Sequence, residues 1–295
     1  MAWDPIPPQV RGVLRTLRIG ARRAAGGRGF GQHRSRERGA GQEFVQYRGY
    51  EPGDELRRID WKLYARSDRF YVREAERESP LAIWVVVDTS ASMGQVDEGR
   101  GDWSRLEAAK SLAASVFEVS LAQGDPFGLV LAGKNGLSLM PPAAGVRQRD
   151  RLLLALREAA AGGSFPAEHR LESLRQRIGP DDVVVLLGDF FDDTSVALAT
   201  KLAAARREVL AIQLLTVAEG DFPFTDGRRF RDPETGAELP GDGQAMREGF
   251  LARFGAAQRA LRARLDAAGI RHAVYVLDEP LERPLRQLFA GAGRP

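Results

Sequence analysis

Between Leu81 and Val87 the chain runs through seven consecutive apolar residues, LAIWVVV, and then breaks at once into Asp88, Thr89, Ser90, Ala91 and Ser92. A short unbroken run rich in β-branched residues predicts a strand buried on both faces, the kind that parallel sheets use. From there strand and helix patterns alternate. Ser104 and Glu107 stand at capping-box spacing before a helix whose Leu106, Ala109, Ala113, Val116, Phe117 and Leu121 share one face. Gly128 to Ala132 is expected to form the next strand, with Gly136 to Met140 as its hairpin partner, stopped by Pro141 and Pro142. Helices are expected over Arg147 to Ala161 and Ala167 to Ile178, separated by Gly162, Gly163 and Ser164. A second buried strand, Asp182 to Leu187, also ends in a carboxylate, Asp189, and a capped helix follows it to Arg207. Val209 to Thr216 reads as a strand, followed by a polar, turn-rich insertion through Gly243. A long helix from about Ala245 to Ala268, a strand from His272 to Leu277 and a short helix from Pro284 close the chain. Strands joined by helices imply a doubly wound α/β domain with a mostly parallel central sheet, spanning residues 80–295.

The first 79 residues have a different texture. Residues 1–42 read as a basic, partly flexible arm with one short helix, Val10 to Ala25, before a glycine-rich linker. Residues 43–79 mix dense charge of both signs with seven aromatic residues, and form an N-terminal elaboration expected to pack on the main domain. Arg57, Arg58, Asp60 and Trp61 within it are a candidate partner surface, because arginine and aromatic residues dominate binding hot spots.

Composition narrows the chemistry. There is no Cys, and the three histidines, His33, His169 and His272, have no metal-ligand spacing. Any site must therefore rest on carboxylates, hydroxyls and arginines. No apolar run is long enough to span a bilayer and no secretion signal is evident, so a cytoplasmic location is expected. The net charge of +3 hides an asymmetry: residues 1–48 carry ten arginines against Asp4, Glu37 and Glu43, for +7, which leaves −4 on the rest. The arm could bind nucleic acid, but it lacks interleaved aromatics and the body contains no nucleic-acid module, so that partner is not expected.

The two strand ends carry the chemistry. In an Asp-x-Ser-x-Ser turn alternate side chains can point the same way, so Asp88, Ser90 and Ser92 can offer three hard oxygens to Mg²⁺ or another divalent cation. If the two carboxylate-tipped strands are neighbours, Asp189 joins them at the crevice where parallel sheets bind ligands, with Ser164 as a further hydroxyl. A plain polar turn with its serines bonded to backbone is the competing interpretation. Gly128, Gly133 and Lys134 match part of a phosphate-loop spacing, but Asn135 replaces the required hydroxyl.

These motifs, Asp88-x-Ser90-x-Ser92, the Gly-Gly-Ser turn and the strand ending at Asp189, resemble the metal-ion-dependent adhesion site of von Willebrand factor type A domains. The run Arg48 to Trp61, RGYEPGDELRRIDW, followed by Tyr71-Val72-Arg73-Glu74 and the DTSASM loop, is similar to the domain of unknown function 58 family, as is Asp232-Pro233-Glu234-Thr235-Gly236. The resemblance implies a von Willebrand factor type A-like fold with one antiparallel edge strand and a Mg²⁺ held by Asp88, Ser90 and Ser92. It also implies partnership with a MoxR-type AAA+ ATPase, the ATPase or its client supplying a carboxylate to the metal. Ser164 stands where a Thr is typical. A binding protein rather than an enzyme is thus expected. The alternative is a Mg²⁺-dependent phosphohydrolase with Asp88 as nucleophile, weakened because Ser90 stands where such enzymes carry a second Asp.

Overall fold

The structure, a computed structural model, describes residues 3–20, 46–50, 59–74, 82–97, 101–180 and 182–289. They fall into two compact units, one made of residues 1–27 with 81–295 and one of residues 28–80.

In chain order the elements of the larger unit begin with helix α1 (Pro8–Leu14). The smaller unit then contributes β1 (Gln46–Gly49), α2 (Trp61–Ser67) and β2 (Tyr71–Glu74). The larger unit resumes with β3 (Ile83–Thr89), a 3-10 turn at Ala91–Gly94, α3 (Arg105–Gln123), β4 (Phe127–Gly133) and β5 (Gly136–Ala143). It continues through α4 (Val146–Glu158), α5 (Glu168–Arg177), β6 (Val183–Gly188), α6 (Asp193–Ala204) and β7 (Glu208–Leu215). The last elements are α7 (Val217–Asp221), β8 (Gly227–Arg231), β9 (Glu238–Asp242), α8 (Gly243–Ala267), β10 (Arg271–Val276) and α9 (Glu282–Phe289).

The main sheet has six strands in the order β10-β7-β6-β3-β4-β5. All neighbours are parallel except β4 and β5, which form an antiparallel hairpin at one edge. The buried runs predicted from sequence are the two central strands: every residue of β3 and of β6 is buried, as two-sided burial of a β-branched run requires. Helices cover both faces. One apolar layer joins the sheet to α3, α4 and α9, and the other joins it to α5, α6 and α8. The doubly wound, mostly parallel architecture is therefore the observed one.

The structure departs from the sequence expectation at four points. Pro141 and Pro142 do not stop β5, which runs on to Ala143. An edge strand has no outer neighbour to donate to, and the Gln148 side chain bonds the carbonyls of Phe127 and Pro141 at 3.0 and 2.9 Å in place of ladder bonds. Helix α3 is buried on nearly every side, not along one stripe. Its outer side is met by residues of the N-terminal segment: Ile6, Val10, Leu14, Leu17 and Ile19 enter the same apolar layer, and Gln123 holds both backbone groups of Ile19. Helix α1 ends at Leu14, well short of Ala25, and Ile19 beyond it is the residue that Gln123 holds. Finally, part of the polar insertion is ordered as the β8–β9 hairpin, whose Phe230 joins Phe224 and Phe250 around the ring of Phe222.

In the smaller unit β1 and β2 pair antiparallel. Asp60 caps α2, its Oδ1 accepting from the backbone N–H groups of Lys62 and Leu63 at 2.9 and 3.0 Å.

Candidate metal centre

Strands β3 and β6 are hydrogen-bonded neighbours, paired from Ile83 with Val183 to Val87 with Leu187. The next residues along the two strands are Asp88 on one and Gly188 with Asp189 on the other, so the adjacency that fold logic required exists. Strand order reverses here, with β4 on one side of β3 and β6 on the other, which opens a crevice at the carboxyl ends. A cleft of about 290 Å³ lies there, and Asp88, Ser90, Ser92, Asp189, Arg105 and Glu234 are among the residues lining it.

Local chemistry sets the first loop. The Ser90 N–H donates to Asp88 Oδ1 at 2.7 Å, turning the chain so that the side chains at 88, 90 and 92 face together. The Ser90 and Ser92 hydroxyl oxygens are 3.1 Å apart. Asp88 is only 4 % exposed and has no ion pair among the described residues. Burial pushes its pKa up to about 7, against the opposing bonds from Ser90, with Asp189 and Glu234 adding repulsion. Gly188 makes room for this carboxylate: a Cβ there would sit 3.0 Å from Asp88 Cβ and 3.3 Å from its Oδ2.

Asp189 is held differently. Its Oδ1 accepts from the Phe191 N–H at 3.1 Å and its Oδ2 from the Arg105 guanidinium at 3.0 Å. Arg105, 1 % exposed, also bonds the Ser92 carbonyl at 3.2 Å, pairs with Glu219 and lies 5.3 Å from the centre of the Phe191 ring. It therefore ties the two loops and α7 together. Between Asp189 and Phe191, Phe190 adopts a left-handed φ of 57°, a costly conformation for a bulky residue that turns its ring into the core.

The Gly-Gly-Ser turn is attached to the first loop through backbone bonds. Gly162 N–H donates to Thr89 O at 2.9 Å, and Ala91 N–H donates to Gly163 O at 2.7 Å. Gly163 is required there, with φ +67° and no space for a Cβ, which would fall 2.8 Å from Lys134 Cα. Ser164 is exposed and its hydroxyl meets the carboxylate of Glu234. Burial raises the Glu234 pKa, Ser164 opposes the rise, and Asp189, Asp192 and Asp232 reinforce it.

Asp88, Ser90, Ser92 and Asp189 thus share one cleft, with Ser164 at its border. Among the described residues no group of three or more His, Cys, Asp and Glu side chains is arranged to hold a metal, so two hydroxyls would have to complete the set. The donors are all hard oxygens, and Asp88 is a buried acid with no cationic partner among the described residues; both properties suit a small divalent cation. Of the candidate partner surface, Trp61 is 59 % exposed beside Tyr64 and Phe70, which stack at 4.4 Å. Asp60 is not presented outward: it is buried and used as a helix cap. Arg57 and Arg58, and residues 21–42 of the arm, lie outside the described residues.

Sequence reasoning missed Arg105 and Glu219, and it noted Glu234 only as part of a matching stretch. The Ser104 cap was a usable signal for Arg105, since it fixes that residue at the start of a helix facing the strand ends. The half of the capping box that Glu107 would supply is absent; its carboxylate pairs with Lys110 at 2.7 Å. A complete box occurs instead at Thr216 and Glu219, so Glu219 both caps α7 and meets Arg105.

The sheet order, the antiparallel edge and the Asp-x-Ser-x-Ser loop at the end of a central strand define a von Willebrand factor type A-like domain. The chain belongs to the family described as "Protein of unknown function DUF58", whose profile matches residues 46–263. It is 29% identical over 258 residues to uncharacterized proteins of Mycobacterium tuberculosis and Mycobacterium bovis, covering 86% of this chain and 80% of each relative. Among solved structures it is similar to BatB from Bacteroides thetaiotaomicron, at 15% identity and a TM-score of 0.36 over 64% of this chain and 98% of that one. It is also similar to the SpRpn10 VWA domain, at 15% identity and a TM-score of 0.39 over 70% and 93%. A third, an aerotolerance-related membrane protein from Bacteroides fragilis, matches at 18% identity and a TM-score of 0.35 over 63% and 99%. Among the described residues no helix is long and apolar enough to cross a membrane.

Proposed function

We propose that this module binds its partner through a divalent cation, Mg²⁺ being the natural choice for an oxygen-only site, held by Asp88, Ser90 and Ser92. Asp189 and Ser164 stand beside it. The observation that carries the reading is the buried Asp88 carboxylate, which has no ion pair among the described residues, beside two converging hydroxyls. A bound cation would offset that burial and would make affinity depend on an acid brought by the partner. The partner we propose is a MoxR-type AAA+ ATPase, or a client that it handles, with the chain acting as adaptor in the cytoplasm.

The phosphohydrolase reading is not favoured. Ser90 occupies the position of the second acid, and its hydroxyl is engaged with Ser92.

Capture of a purified MoxR-type ATPase by the full chain tests the proposal. Capture is expected in Mg²⁺ and lost in chelator, and Asp88→Ala should abolish it while the circular dichroism stays native. Capture that persists through both treatments would overturn the metal bridge.

A further inference from the structure

The β8–β9 hairpin reaches the candidate cation site as a built arm. One ladder pair before the turn, the Phe230 ring lies 5.6 Å from that of the buried Phe222, which the Phe250 ring of α8 meets at 4.5 Å. At its tip Asp232 folds the turn on itself: its Oδ1 accepts from the Glu234 N–H at 2.9 Å, its Oδ2 accepts from the Thr235 hydroxyl at 2.6 Å, and Gly236 N–H closes back on Asp232 O at 2.8 Å. Pro233 restricts the backbone between them. These bonds occupy the Asp232 carboxylate within the turn. Glu234 is the acid of the hairpin left to face Asp88, Asp189 and the Ser164 hydroxyl.

Burial orders the cleft from bottom to top. Asp88, Ser90 and Asp189 are at the floor, almost wholly out of water, whereas Glu234 is half-buried at the solvent side. A carboxylate set by a hydrogen-bonded turn toward two others is electrostatically unfavourable unless a proton or a cation is shared among them. Arg105 compensates Asp189, but Asp88 has no ion pair among the described residues, so the Asp88 side of the floor is short of positive charge.

We infer that Glu234 is an in-cis acidic occupant of this site: the hairpin over residues 227–242 lays the chain's own carboxylate where a partner's acid would approach the cation. The inference rests on the cation reading proposed above and adds a condition to it. A partner's carboxylate must displace Glu234, so the hairpin sets how readily the site accepts an outside ligand.

The test uses the full chain with Mn²⁺ as the probe cation and acetate as the probe carboxylate. Free Mn²⁺ is followed by electron paramagnetic resonance and bound Mn²⁺ by water-proton relaxation. Glu234→Gln is expected to weaken Mn²⁺ binding about tenfold, within the range for losing a group that supports a metal. It should also raise the relaxation of bound Mn²⁺ by admitting water, with acetate lowering it again in the variant and having little effect on the wild type. Asp88→Asn separates the two ideas. If it abolishes Mn²⁺ binding while Glu234→Gln binds within twofold of wild type, or more tightly, and responds to acetate as wild type does, the in-cis role is wrong and the cation site stands. If Asp88→Asn leaves Mn²⁺ binding unchanged, the cation site is wrong and this inference falls with it.

Discussion

The Arg105 guanidinium donates to Asp189 Oδ2 at 3.0 Å across 84 positions of sequence, with both side chains almost completely removed from water. The pair joins the first turn of α3 to the end of β6 and is the fixed wall against which the Asp88 loop is set.

Removing the cation of that pair should be severe. Arg105→Ala would leave Asp189 buried and uncompensated and would free Glu219 and the Ser92 carbonyl. A loss of about 3–5 kcal/mol is expected in urea unfolding, as for other broken buried pairs. Arg105→Lys should recover only part of it, because one ammonium cannot reproduce a guanidinium fork.

The Asp88 carboxyl makes cation-free stability fall with rising pH. Its pKa in the fold, about 7, lies above the ordinary value of 3.8, so the folded state holds a proton that the unfolded state has released. The contribution is fully present below about pH 4, is lost as pH rises through about 7 and changes little beyond. At about 1.4 kcal/mol per pKa unit the swing is on the order of 4 kcal/mol. Denaturation at pH 5 and pH 8 should show the part that falls between those values, about 2–3 kcal/mol, in wild type and not in Asp88→Asn.

The same ionisation should govern cation affinity. Below pH 7 a cation must displace the proton, so Mn²⁺ affinity is expected to fall about tenfold per pH unit and to be level above it. A flat calorimetric titration between pH 6 and pH 8 would contradict this.

Gly188→Ala should separate the site from the fold. Its Cβ meets Asp88 at 3.0 Å, so the carboxylate must shift by a few tenths of an ångström. Stability is expected to change by about 1–3 kcal/mol, the range for overpacking, while Mn²⁺ binding measured by calorimetry weakens by more than tenfold.

The N-terminal segment should behave as core. Leu17→Ala removes a side chain only 2 % exposed that packs in the layer containing α3, and about 2–5 kcal/mol of stability should go with it. An unchanged denaturation midpoint would show that residues 3–20 do not serve as the cover of that helix.

Chain order and local pattern were enough to identify the apolar strands, the alternation of strand and helix, and the two acids that follow β3 and β6. Those features come from short-range physics: β-branched runs, capping residues and turn chemistry act within a few positions. Even the Ser90 and Ser92 hydroxyls could be placed on one side from their spacing alone. Three matters were decided only by the folded chain. Arg105 reads as an ordinary first-turn residue until α3 packs on β3 and sets it between Asp189 and Glu219. The apolar residues of the N-terminal segment are too few to announce a partner, and it is the nearly complete burial of α3 that gives them one. Glu234 lies 70 positions beyond Ser164, and a polar hairpin gives no sign of where its tip will rest until Phe230 packs on Phe222 and holds it in place. Burial and long-range charge pairing depend on which surfaces meet, and that information appears only when the sheet has been assembled.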